Sequence, residues 1–163
     1  MPWMTSASDT TRSIMPKSNL FSDSSALIAG IVSSKGAART LLLLAEDGRI
    51  SITISNQVVT EVERNIARKA PKALALAREL ILRANIHIVP DPQMEEVQQC
   101  LDWISHSADV SILVAAARAC VDFFTTLDTR HFIDDPEVTR RSGLKIGTPG
   151  DALSWIRIIG DSH

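Results

Sequence analysis

Five short apolar segments, "SNLFS", "RISITIS", "NIHIVP", "VDFFTTLD" and "LKIG", alternate with longer stretches whose apolar positions recur at helical spacing. Few folds accommodate that order. Strands separated by helices of ten or more residues predict βαβ units, and hence an α/β fold with a parallel sheet covered by helices on both faces.

The second segment carries the plainest strand signal, with Ile50, Ile52 and Ile54 alternating. Between the first two segments, Ala26, Leu27 and Ile31 share one helical face, and Gly36 and Gly48 bracket a second helix, "AARTLLLLAEDG". Val58, Val59, Val62 and Ile66 predict the next helix, and Pro71 is placed to start the one after it. A helix near 93–103 is expected to contain Trp103, and another, "ADVSILVAAARAC", to follow Ser107 as its N-cap. Cys100 and Cys120 fall inside these helices without Cys-x-x-Cys spacing, and are expected to be buried thiols in a reducing compartment.

A chain of 163 residues is most simply one domain, here 18–160, preceded by a Ser/Thr-rich flexible extension, 1–17. No run of about 18 apolar residues occurs, so the expectation is a cytoplasmic protein with no membrane partner. A net charge of -2 supplies no general basic field for nucleic acid, so a polyanion must be met by a local patch.

The acids are more informative. Asp23 ends the first strand and Asp128 the fourth, and functional groups of open parallel sheets gather beyond the carboxyl ends of their strands. An Asp in that place also caps the next helix, which is reason enough for either alone. Asp109 shares a face with Ile112, Leu113, Ala116 and Cys120, an inward face; there too an acid in the first turn suits the helix dipole. Glu61 and Glu63 flank the Val58, Val62, Ile66 stripe on opposite sides, and periodicity does not choose between them.

Taken in order, "FSDSSAL", "ISNQVVTEVERNI", "SADVSILVAAA", "VDFFTTLDTRHF" and "GTPGDAL" resemble the PIN-domain nucleases over residues 19–155. The resemblance implies a three-layer α/β/α sandwich about a five-stranded parallel sheet, and acids that bind Mg2+ or Mn2+ to cut RNA. It carries the first acid onto Asp23, the second onto Glu61, six residues after Ser55, the third onto Asp109, and the fourth onto Asp128 in a Thr-x-Asp pattern with Thr126. Ser25, two after the first acid, falls where the family has a small polar residue that orients the acid or water. Four clustered carboxylates repel unless a divalent cation neutralises them, and hard oxygens suit Mg2+ or Mn2+ better than zinc.

Substrate contacts are expected from Arg39, Arg64 and Arg130, with Arg68 and Lys69 nearby in sequence. His131 is read as a surface residue at the mouth of the site, and His87 and His106 as having no role. The family includes toxins of toxin/antitoxin pairs, so an antitoxin protein joins RNA among the expected partners; the apolar "KALALARELILRA" and "DALSWIRII" suggest a homodimer. The alternative is a catalytically inactive PIN-like module that binds RNA or protein. A phosphotransfer site lacks its second acid, because Ser25 stands there.

Overall fold

The computed structural model describes residues 17–162; the expected extension lies almost wholly outside them. The elements follow as β1 (Ser18–Ser22), α1 (Ser24–Val32), α2 (Ala37–Glu46), β2 (Ile50–Ser55), α3 (Asn56–Lys69), a 3-10 turn (Pro71–Ala73) and α4 (Leu74–Arg83). Then come β3 (His87–Val89), α5 (Met94–Gln99), α6 (Ser107–Arg118), β4 (Phe123–Thr125), a π-helical turn (Thr129–Ile133), α7 (Pro136–Ser142), β5 (Ile146–Gly147) and α8 (Pro149–Asp161).

All strand pairs are parallel, in the order β3-β2-β1-β4-β5. The chain builds outward from β1 through β2 to β3, then returns to lay β4 on the other edge of β1. That reversal opens a crevice beyond the carboxyl ends of β1 and β4, where such sheets hold their ligands. Register makes the crevice specific: Phe21 pairs with Phe124 and Ser22 with Thr125. Asp23 and Thr126 therefore leave the sheet side by side, and the Asp23 backbone N–H donates to Thr125 O at 3.1 Å.

Helices flank the sheet, so the central strands bury both faces. In β2 the isoleucines are buried as expected, and so are the alternate Thr53 and Ser55. Helices α1, α2, α3, α4 and α8 pack in one connected group, and α5, α6 and α7 in another, with α6 against β2. Gly30 permits the close approach of α1 and α2, since a Cβ there would lie 2.9 Å from Leu42 Cδ1 and 3.0 Å from Ala38 O. Beneath the crevice an aromatic stack joins the strands to the π-helical turn: the Phe21 and Phe124 rings are 5.5 Å apart and stacked, and Phe124 and Phe132 are 5.1 Å apart.

Three local expectations are corrected. Helix α5 ends at Gln99, leaving Trp103 in the following turns. The N-cap of α6 is His106, whose side chain makes no capping bond, and Ser107 is the first helical residue. The thiols are not buried: Cys100 is half-exposed at the end of α5, and Cys120 is exposed beyond α6 with φ of 54°. A helix pattern extended through its last apolar residue overlooks that the chain must turn to enter β4. Among the described residues no single helix is long and apolar enough to cross a membrane.

Candidate active site

Asp23 is the centre of a dense set of hydrogen bonds. Its Oδ1 accepts from the Ala26 backbone N–H at 3.0 Å and from Ser25 Oγ at 2.8 Å, and its Oδ2 accepts from Thr126 Oγ1 at 2.5 Å. It therefore caps α1 from the carboxyl end of β1, as an Asp after a strand is expected to. The residue is only 4% exposed. Desolvation pushes its pKa up to about 6, against the hydrogen bonds from Thr126, Ala26 and Ser25, and the charge of Asp109 adds to the rise.

Thr126, fully buried, ties the first acid to the fourth. While its hydroxyl donates to Asp23, its oxygen accepts the Asp128 backbone N–H at 2.9 Å. Asp128 lies three residues past the end of β4, as the N-cap of the π-helical turn. Its Oδ1 accepts the His131 backbone N–H at 3.1 Å, and its Oδ2 lies 2.8 Å from His131 Nδ1. Desolvation pushes the Asp128 carboxyl up, but the hydrogen bonds from His131 and the charges of His131 and His106 outweigh it, and the pKa is lowered.

Glu61 arrives from α3. Its Oε1 accepts from Ser24 Oγ at 2.8 Å and its Oε2 from Gln57 Nε2 at 3.0 Å. Gln57 also donates to Ala108 O at 3.1 Å, and so joins α3 to the start of α6. Glu63, its rival by periodicity, turns outward to Arg78 at 2.7 Å. Asp109 sits half-buried in the first turn of α6, with its Oδ2 3.2 Å from His106 Nδ1. Burial raises its pKa; Asp128 and Glu61 raise it further, and His106 and His131 oppose them. Asp109 is thus under the charges of Glu61 and Asp128, its own charge reaches Asp23, and the four acids come from four separate elements.

Two histidines complete the rim. One ligand atom from each of Asp109, Asp128 and His131 lies within 4.8 Å of the others, and the His106 and His131 ring centroids are 4.7 Å apart. His131 and His106, set aside on sequence grounds, are therefore in the cluster, as is Gln57. Spacing offered a signal for each: His131 stands three residues after Asp128, and His106 three residues before Asp109. The groups spaced to share an ion are two carboxylates and an imidazole, a set that suits a divalent cation: the carboxylates are hard and anionic, and they repel each other without one.

The cations are less concentrated. Ser25 bonds to Asp23 and accepts the Leu127 backbone N–H at 3.0 Å, which places it as a brace between α1 and the loop after β4. Arg64 on α3 and Arg130 beside His131 are exposed. Arg39 is engaged elsewhere: Nε donates to Gly30 O at 2.6 Å and Nη2 to Ile31 O at 2.8 Å, closing the end of α1 away from Asp23.

Two solved structures share this fold. The crystal structure of Mycobacterium tuberculosis VapC20, described as a Sarcin-Ricin loop cleaving toxin, aligns with a TM-score of 0.52 at 14% identity over 68% of this chain and 91% of its own. PAE2754 from Pyrobaculum aerophilum aligns with a TM-score of 0.57 at 18% identity, over 88% of this chain and 98% of its own. Identities this low speak for the fold alone. No curated protein matches the chain in sequence. A PIN domain family model matches residues 19–130, from β1 to the start of the π-helical turn that Asp128 caps, and the chain belongs to the PIN-domain family.

Proposed function

We propose that the protein is a divalent-metal-dependent endoribonuclease that hydrolyses RNA phosphodiester bonds. One observation supports this: Asp109, Asp128 and His131 present ligand atoms within 4.8 Å of one another, and the charge of Asp109 reaches Asp23 while those of Glu61 and Asp128 reach Asp109. The acids hold the cation, Mg2+ or Mn2+. A bound ion of this kind supplies positive charge for the scissile phosphate and acidity for the attacking water.

The chain's own residues do the rest. Thr126 and Ser25 fix the rotamer of Asp23, Ser24 and Gln57 fix Glu61, and the His131 backbone N–H fixes Asp128, so the oxygens keep their positions without reorganising. Arg64 and Arg130 meet flanking phosphates from the surface. Single-stranded RNA incubated with the full chain should be cut with Mn2+ or Mg2+ and left intact with a chelator, giving 3'-hydroxyl and 5'-phosphate ends. Fragments ending in 2',3'-cyclic phosphate would contradict the scheme, because they require the ribose hydroxyl as nucleophile.

We further propose that this PIN-domain protein acts in the cytoplasm as the toxin of a toxin/antitoxin pair, with an antitoxin protein as partner. Exposed Leu43, Leu82 and Ile158 support a homodimer, Leu82 being 80% exposed. Light scattering should give twice the chain mass; a monomer at high concentration removes the dimer.

A further inference from the structure

The acids of the cluster are not in equivalent surroundings. Asp23 is deep, with both oxygens hydrogen-bonded to α1 and Thr126, whereas Asp109 and Asp128 lie at the half-exposed rim together with His131. His131 Nδ1 and Asp128 Oδ2 are 2.8 Å apart. Two neighbouring ligands of an octahedral ion, each about 2.1 Å from it, lie about 3 Å apart. Oδ2 of Asp128 and Nδ1 of His131 are therefore close enough to sit as neighbours on one cation, with the ion in place of the hydrogen between them. Asp109 completes the group within 4.8 Å, a span that closes on one ion with small side-chain shifts.

We propose that His131 is a nitrogen ligand of the catalytic cation and makes the site select Mn2+ over Mg2+. The inference rests on the metal-dependent reading above. An imidazole nitrogen is a softer donor than a carboxylate oxygen and so favours first-row transition ions, even Mn2+, the weakest binder of that series, over Mg2+, which prefers all-oxygen, strictly octahedral shells and keeps its waters. The backbone holds the ring in place: the His131 N–H donates to Asp128 Oδ1, and Phe132, next in the same turn, is buried against Phe124. His106 packs against the ring, with centroids 4.7 Å apart, while its own Nδ1 lies 3.2 Å from Asp109 Oδ2.

The test is calorimetric titration of the full chain with Mn2+ and with Mg2+, for the parent, His131→Gln and His106→Gln, paired with pulsed EPR of the bound Mn2+. The parent should bind Mn2+ more tightly and show nitrogen hyperfine coupling. His131→Gln should lose about ten-fold or more in Mn2+ affinity, keep its Mg2+ affinity, and lose the nitrogen signal, while His106→Gln retains it. Both ions binding with the parent's Mn2+/Mg2+ ratio in His131→Gln, or no nitrogen coupling in the parent, would overturn the ligand and leave the nuclease reading standing. Failure of the parent to bind either ion would overturn both.

Discussion

Asp23→Asn should lower RNA cleavage by about a thousand-fold or more while making the metal-free protein more stable at pH 8. The two effects share one cause. Asp23 is buried and pushed up to about 6 from an ordinary 3.8, so the folded state favours its neutral form. A carboxyl whose folded pKa is raised contributes stability that is fully present below 3.8 and is lost as pH rises through about 6. At 1.36 kcal/mol per pKa unit, the ionised group costs the fold about 3 kcal/mol at pH 8, to order of magnitude. Asn keeps the oxygen that accepts from Ala26 and Ser25 and removes the charge; the altered bond to Thr126 takes back about 1 kcal/mol. Urea midpoints in a chelator at pH 5 and pH 8 measure this, with the parent falling more steeply than the variant, which keeps the fall due to Asp109. A variant weaker than its parent at pH 8 would show that the carboxylate is not under strain, and cleavage retained by the purified variant would place the chemistry elsewhere.

Phe124→Ala should cost about 3–5 kcal/mol, a large part of a typical domain's stability. Phe124 is wholly buried between Phe21 and Phe132, so truncation leaves a void that three elements must fill. The loss reaches the site, because Phe132 belongs to the turn that presents His131 and is capped by Asp128. Where enough protein folds, metal affinity should fall along with the urea midpoint. A variant within 1 kcal/mol of its parent would mean that the stack contributes little beyond filling space.

Most of the fold was legible along the chain. The isoleucines of β2, the Val58, Val62, Ile66 stripe, and Gly36 and Gly48 around α2 each mark an element through its own local periodicity or backbone need. The segments that failed were those where the signal outran the element. Apolar residues continue from α6 toward β4, yet Cys120 leaves the helix in a left-handed turn, and β4 itself is three residues long.

Asp23, Asp109 and Asp128 were visible because each stands at a boundary where an acid has a local reason to be. The choice of Glu61 over Glu63 came from family spacing, and in the structure Ser24 and Gln57 hold the first while Arg78 draws the second outward. Arg39 looked available for phosphate until α1 ended beside it with carbonyls to satisfy. His106 and His131, 25 positions apart, became neighbours only because α6 and the π-helical turn end over the same crevice. The sequence by itself determined which segments form strands and helices and which carboxylates stand at their ends, since burial periodicity and capping act over a few residues. Only the tertiary structure decided which side chains share the crevice, because that depends on strand register and helix packing between segments that the chain keeps far apart.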